Sequence, residues 1–486
     1  MNNLVTNIPH STVAYLWRGL GLPDAALNAL DLPVGDAFSS SFKVWHLAQS
    51  TVATAALTGA LIHATRSSSP IPRVRVEVPH AAAAFVSERL LRIDGNPPPS
   101  AWGVLGGLYA TRDGHVRIHD SFAHHRASIL RVLGLAEDES RCEAVAEAVR
   151  TWDKVALEEA ALASGAVAYA LRSEAEWEAT GQAQAQADKF PISLRVASPS
   201  PSPFATVPPL LTGPSLRPLT GLRVLDLSRV IAAPVAGRTL AALGADVLWV
   251  TSPNLPSLPG LDGDMTRGKR SISLDLDDAA DAAKLCELVK TANVFLQSYR
   301  PGALSSRGWG REDVRRLNPG IIYASLSAWG PGPWECRRGF DSLVQTASGL
   351  NVLEAEGAEL GQATFTSMPH EPKPARPLPC QALDHGAGYL LAAGILAAVY
   401  RRMIEPTNGG WDVDLSLADV MELLRSLGRQ AFSDVPAPSV NDDAWLETTR
   451  GALGEVTGVS FPATINGVDT SLGRPSVRGA DVSEWL

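Results

Sequence analysis

Apolar positions in the C-terminal half of the chain follow two alternating periods. From residue 221, "GLRVLDLS" is an apolar run of strand length, "VAGRTLAALGA" carries its apolar residues at helical spacing, and "DVLWV" is a second strand. The alternation continues with "RSISLDL" as a strand, "DDAADAAKLCELVKTA" as an acid-started helix, "NVFLQSY" as a strand, "REDVRRLNP" as a short helix and "IIYASLSAWG" as a strand. Strands joined by helices of this length pair in parallel through right-handed crossovers. The pattern predicts an α/β fold in which residues 221–430 build an open, doubly wound, Rossmann-like sheet. Ligands of such sheets sit at the carboxyl ends of the strands.

Ahead of this half, residues 197–220 are rich in proline and serine ("ASPSPSPFATVPPLLTGPSLRPLT"), a composition that predicts an extended linker. Before the linker, "AQSTVATAALTGALIHATR" (48–66) lies over "LDHGAGYLLAAGILAAVYR" (383–401), with Gly59 over Gly394 and Arg66 over Arg401. The strand and helix that follow, "RVRVEVPHAAAAF" (73–85), lie over "GWDVDLSLADVME" (410–422) after a two-residue slip. A helix, a strand and a helix in the same order predict an internal repeat spanning residues 45–92. Residues 101–195 have no counterpart in the second copy. A hairpin turning at Asp113-Gly114 followed by helical patterns predicts a smaller α+β domain there. Residues 431–486 read as a tail that packs back.

Composition bounds the function classes. The chain of 486 residues has a formal charge of -9, so a general nucleic-acid or membrane-surface binder is not expected. Neither a basic leader followed by an apolar stretch nor about 18 uninterrupted apolar residues is present, and the alanine-rich runs read as buried helices. Four scattered cysteines, Cys142, Cys286, Cys336 and Cys380, suit a reducing cytoplasm and give no metal signature. The adjacent His124 and His125 lack the i, i+4 spacing of a shared metal face, so no metal site is expected.

Basic residues cluster after the C-terminal strands, at Arg229, Arg267, Lys269, Arg270, Arg300, Arg307 and Arg311. Cations at the carboxyl edge of a parallel sheet suit a phosphate-bearing ligand, while solvated surface charge is the equally weighted alternative. Neither G-x-G-x-x-G nor a P-loop is present, so no nicotinamide or P-loop nucleotide is indicated. Asp341 and Ser342 precede a short helix, where capping is the default role. Asp384 opens the alanine-rich helix of the second copy. Ordinarily such an acid is a cap, but the first copy builds the same helix with Gln49 in its place and Ser50 available to cap. Gly386 and Gly388 each lower helix propensity by about 1 kcal/mol, which points to a close approach at that turn. A carboxylate at a helix N-terminus is expected to be held ionised by the free N–H groups and available as a nucleophile.

The segments "GLRVLDLSRVIAAPVAGRTLAALGADVLWV", "RGKRSISLDL", "NVFLQSYRPGAL", "GFDSLVQTASGL", "LDHGAGYLLAAGILAAVYRR" and "GGWDVDLSLADVMELL" together resemble the class III coenzyme A transferases, which share their fold with the α-methylacyl-CoA racemases. The N-terminal 40–200 resembles the family's second half, so the chain resembles a partial copy fused ahead of a second one. The resemblance implies an acyl-CoA:carboxylate CoA-transferase with Asp384 as the nucleophile, acting through an aspartyl anhydride and an enzyme-CoA thioester. It places Arg229, Val230, Ile231 and Ala232 near the pantetheine and thioester, and Leu274, Ser298 and Tyr299 around the adenine and phosphates, with Lys269 or Arg270 nearby. It implies no cofactor beyond the CoA thioester substrate and a carboxylic acid as partner. Oligomeric state is expected to be either a homodimer or a monomer mimicking the family's interlocked dimer. Ile231 stands where formyl-CoA transferases carry glutamine, which disfavours formyl and oxalyl substrates. Phe340 stands where the racemases carry a catalytic histidine, which disfavours racemisation unless His385 substitutes. The remaining alternative is a non-catalytic acyl-CoA-binding protein.

Overall fold

A computed structural model of the protein describes residues 8–197, 217–363, 374–405, 409–432, 435, 436, 438, 439 and 443–486. The predicted linker, apart from its ends, lies outside the described residues. At its C-terminal end the Arg66 guanidinium donates to the carbonyls of Arg217, Pro218 and Thr220.

Seven strands form the main sheet: β1 (Ser193–Val196), β2 (Arg223–Leu227), β3 (Asp246–Thr251), β4 (Arg270–Ser273), β5 (Val294–Gln297), β6 (Ile322–Ser327) and β7 (Trp411–Ser416). Their spatial order is β4-β3-β2-β5-β6-β7-β1, with every pair parallel except β7 with β1. The order reverses direction between β2 and β5, which opens a crevice outside the carboxyl ends of those two strands. Successive residues serve opposite faces. Val224, Val247 and Val294 join the larger core, whereas Leu225, Leu248 and Phe295 join a second core with Leu285 and Leu288 of the helix Ala279–Thr291. Burial on both faces is why these strands read as continuous apolar runs.

Two helices from opposite halves of the sequence dominate the larger core. Helix α1 (Val44–Ser67) packs against the helix called α5 below, Ala382–Ile404, and α5 also packs against α3 (Ala232–Ala242). Helix α5 is long and apolar enough to cross a membrane by length and composition, yet its apolar window is 100% buried within the protein. Both α1 and α5 are followed by a strand and a helix. After α1 these are Val74–Arg75 and Val78–Ala84; after α5 they are β7 and α6 (Leu417–Ser426).

Between them lies a unit with its own apolar core. The hairpin Gly107–Ala110 and His115–Ile118, extended by Ala168–Ala170, is covered by α2 (Ala123–Leu133) and the helix Lys154–Ser164. Its turn falls at the expected Asp113-Gly114, closed by Thr111 N–H donating to Gly114 O. Leu446–Gly451 and Gly454–Val459 pair with each other and the latter with Arg92–Ile93, while Thr464–Ile465 pairs with Val74–Arg75. The C-terminal residues thus complete sheets begun in the N-terminal half.

Candidate active site

Asp384 lies in the first turn of α5, but its side chain does not cap the helix. The capping acid comes from elsewhere. Asp341, fully buried at the start of α4 (Asp341–Ala347), accepts from the backbone N–H of Leu383 at 2.8 Å and of Asp384 at 3.0 Å through Oδ2. Its other oxygen accepts from Gln345 Nε2, and the Gln345 Oε1 accepts in turn from Asn351 Nδ2 and Leu378 N–H. Asp341 therefore caps α5 and not its own helix, and two of the first-turn donors expected to hold Asp384 ionised are already taken. Burial, then the neighbouring Asp341 and Glu88, push the Asp384 carboxyl well above the usual carboxylate range. Asp341 itself is raised to about 6, chiefly by burial. The dipole expectation is thus corrected: two acids and desolvation outweigh a helix N-terminus.

Among the described residues, no hydrogen bond to the Asp384 carboxyl is formed, and it faces a cleft of about 230 Å³. Arg229, Val230, Ile231 and Ala232 from the β2-α3 turn, and Ser298, Tyr299 and Arg300 from the turn after β5, line the same cleft. It therefore opens where the strand order reverses. Val230, in the lining of the same cleft, adopts a φ of +73°, a conformation a β-branched residue rarely takes. The glycines of α5 are explained by contact. A Cβ on Gly388 would stand 2.5 Å from Ala232 O and from Val235 Cβ, and one on Gly386 would stand 3.0 Å from Val420 Cγ1. Close approach of α3 to α5 brings Ala232 alongside Asp384.

Other expected residues are not brought to the cleft. Lys269 is buried and its ammonium donates to Asp226 at 2.7 Å and Pro234 O at 2.9 Å. Arg270 is bound by both oxygens of Asp246, and Leu274 belongs to the second core. Arg267, Arg307 and Arg311 are held by Glu447, Asp277, and the pair Asp412 and Asp414. Of the basic cluster, only Arg229 and Arg300 line this cleft. His385 is buried with Nε2 at 3.1 Å from Glu88 Oε2 and is not among the lining residues, so it does not stand in for a histidine at position 340.

Sequence reasoning missed an entire wall. Phe122, His124 and His125 at the start of α2 line the cleft together with Arg337, Arg338 and Phe340. The His119 and Phe340 rings stack 3.8 Å apart, and the Arg229 guanidinium lies 4.7 Å over the Phe122 ring. Burial lowers the His125 imidazole to about 3, so it is neutral at physiological pH. Doubled basic residues directly ahead of "GFDSL" were the available signal for Arg337 and Arg338. For the histidines no signal existed short of the tertiary contact.

Helix α1 offers an internal comparison. Gln49 is buried and its amide donates to Pro33 O and Val76 O, both at 2.8 Å. Ser50 does not cap, because α1 begins at Val44 and the hydroxyl donates to His46 O inside the helix. The position aligned with the unbonded acid is thus an amide tethered through its nitrogen, with Oε1 buried and without a hydrogen bond among the described residues.

The model of "CoA-transferase family III" matches residues 219–443, the stretch that contains β2 through β7 and the acid. A probable fatty acyl-CoA transferase of Mycobacterium tuberculosis is 34% identical over 243 residues, 46% of this chain and 57% of its own length. A formyl-CoA:oxalate CoA-transferase of Streptomyces coelicolor is 31% identical over 210 residues, covering 41% of this chain and 47% of its own. A crystal structure of the Mycobacterium tuberculosis protein Rv3272, at 33% identity, covers 44% of this chain and 57% of that one with a TM-score of 0.37. The chain spans about half the length of curated relatives such as these. Over residues 219–443, the chain is similar to CoA-transferase family III.

Proposed function

We propose that the protein is an acyl-CoA:carboxylate CoA-transferase that works through covalent intermediates on Asp384. The observation that carries this reading is a carboxyl group left without a hydrogen bond in a cleft, on a helix whose N–H groups another acid has already capped. A cap or a structural acid would be bonded; a nucleophile needs free lone pairs.

The Asp384 carboxylate attacks the thioester carbonyl and expels CoA thiolate, giving a mixed anhydride. The thiolate then attacks the aspartyl carbonyl, releasing the donor carboxylate and leaving Asp384 as its CoA thioester. An acceptor carboxylate attacks that thioester to form a second anhydride and free the thiolate again. Attack of the thiolate on the acceptor's acyl carbon yields the new acyl-CoA and restores the aspartate. Each intermediate is an activated acyl group, so activation is conserved while water is kept out. The raised proton affinity of Asp384 makes its ionised form the stronger nucleophile.

Arg229 to Ala232 flank the reacting carbonyl, and Ser298 and Tyr299 lie along the CoA arm in this reading. Lys269, Arg270 and Leu274 shape the Rossmann-like CoA-binding domain without touching the acid. The segment ahead of the linker, in this view a partial family copy whose smaller α+β domain is the second domain, contributes the wall of Phe122, His124 and His125.

Incubation with acyl-CoA followed by hydroxylamine or borohydride tests the proposal. Mass spectrometry is expected to find modification at Asp384, abolished in Asp384→Asn. CoA binding with no adduct would identify a non-catalytic binder instead. Deuterium washing into the α-carbon without CoA exchange would identify a racemase.

A further inference from the structure

The short helix Ser87–Leu90 belongs to the segment ahead of the linker, yet it is clamped against the first turn of α5. The Ser87 hydroxyl donates to Asp264 Oδ2 at 2.6 Å and accepts from Arg238 of α3 at 3.2 Å. On the other side Arg89 donates to Pro379 O at 2.8 Å, just ahead of α5. Between these anchors Glu88 Oε2 stands 3.1 Å from His385 Nε2, and both side chains are buried. The proposed reaction uses neither residue.

The surroundings hold this pair in one arrangement. The His385 ring stacks on Phe85 with centroids 5.5 Å apart, and Phe85 also stacks on Tyr389. His385 Nδ1 is buried without a hydrogen-bond partner among the described residues. A ring that donates Nε2–H to Glu88 therefore leaves one lone pair unanswered, whereas a proton on Nδ1 would leave a buried donor unanswered. Glu88 Oε1 is likewise buried without a hydrogen bond, and the cation near it is the half-exposed Arg89 at 3.4 Å. A buried carboxylate so lightly compensated keeps most of its field at short range. His385 follows Asp384 directly in the chain, so the field falls on the acid from the side away from the cleft. Its sign agrees with the raised Asp384 carboxyl, of which Glu88 is one cause.

We infer that Glu88 and His385 form a positioning pair through which the segment ahead of the linker acts on the nucleophile: His385 fixes the Glu88 carboxylate behind Asp384, and that charge tunes how strongly Asp384 attacks. The inference rests on the reading of Asp384 as nucleophile and gives the N-terminal segment a second task besides walling the cleft. The other titratable groups behind the acid are Asp341 on α4, Arg89 beside Glu88, and Cys380, whose thiol burial pushes up. Across the cleft stand Arg229, Arg300, Arg337, Arg338, His124 and His125. Neutralising Glu88 alone leaves all of these in place.

Labelling of the full chain with a diazoacetamide tests it without calling on CoA chemistry. The reagent esterifies protonated carboxyl groups: the proton passes to the diazo carbon, dinitrogen leaves and a carboxyl oxygen bonds to that carbon. Mass spectrometry then follows the ester at Asp384 against pH, with Asp384→Asn as the unlabelled control. Glu88→Gln, which keeps an acceptor for His385, is expected to move the labelling midpoint toward acid by about one pH unit or more. His385→Phe takes away the buried donor of Glu88, favours its neutral form and is expected to move the midpoint the same way; it serves as the second variant if the first does not fold. His385→Gln, which can still donate, is expected to stay near wild type, and the double variant Glu88→Gln/His385→Phe to go no further than Glu88→Gln. In CoA transfer the acidic limb should move with the midpoint while KM for acyl-CoA holds. An unmoved midpoint in a folded Glu88→Gln overturns the inference, and so do additive shifts in the double variant, because the two residues would then act separately. The expected shifts without CoA transfer in the wild type uphold the pair and remove the transferase reading. Unmoved midpoints with normal transfer overturn the pair and keep the transferase.

Discussion

Replacing Asp341 separates its two effects on the candidate nucleophile. Alanine at this position removes the acceptor of the Leu383 N–H at 2.8 Å and the Asp384 N–H at 3.0 Å, and also the partner of Gln345 Nε2. Each of the three buried donors left alone costs about 1–3 kcal/mol, so Asp341→Ala is expected to lose roughly 3–9 kcal/mol. Asparagine keeps one carbonyl oxygen for the two N–H groups but turns its amide toward the Gln345 amide, a donor facing a donor. About 1–2 kcal/mol is the expected cost of Asp341→Asn. Urea unfolding monitored by tryptophan fluorescence should rank wild type, asparagine and alanine in that order at constant m. The second effect is electrostatic. The Asp341 charge is one cause of the raised Asp384 carboxyl, so neutralising it lets Asp384 ionise at lower pH. A reaction that needs the Asp384 carboxylate rises with pH through that ionisation. Its acidic limb should lie well above pH 4 in the wild type and move toward acid in Asp341→Asn. An unmoved limb would refute the electrostatic part, and an alanine variant within about 0.5 kcal/mol of wild type would refute the capping part.

Two further outcomes follow from the same geometry. For Asp384→Asn, the sign comes from the raised folded value: between about pH 4 and that value the folded state holds a proton that the unfolded state has lost, so rising pH costs the wild type stability. The variant is spared this, and its stability advantage should grow from pH 5 to pH 8 in urea melts even as CoA transfer disappears. Gly388→Val would drive a side chain into Ala232 O and Val235, forcing α3 and α5 apart; an expected loss of ~1–3 kcal/mol, with a raised KM for acyl-CoA, is measurable by unfolding and steady-state kinetics.

The parallel strands were legible because burial on both faces gives runs such as "RVLDL" and "DVLWV" that alternate with helical spacing. Strand β1 was not. Ser193–Val196 is a short edge strand of mixed polarity, and its place beside β7 depends on a pairing across more than 200 residues of chain. The site divides along the same line. That Arg229 to Ala232, Ser298, Tyr299 and Asp384 would share one cleft was legible because strand-end turns and a helix start carry local signals. Lys269 is placed away from the cleft by Asp226, 43 residues away, and a charge looks free in a sequence until its counter-ion is located. The aromatic and histidine wall was illegible for the converse reason: Phe122 to His125 acquire meaning only where α2 meets Phe340.

The contrast between Gln49 and Asp384 states what the fold does not need. Gln49 gives its amide nitrogen to two backbone carbonyls and carries no charge, although its Oε1 is buried without a hydrogen bond among the described residues. Asp384 is buried beside Asp341 and Glu88, forms no compensating bond among the described residues, and is destabilising when ionised. On the cleft side the balance reverses, since Arg229, Arg300 and Arg338 face the space in front of it. Stability would be served better by an amide. An acid at this position is therefore not explained by stability, which is the argument for testing it as the nucleophile.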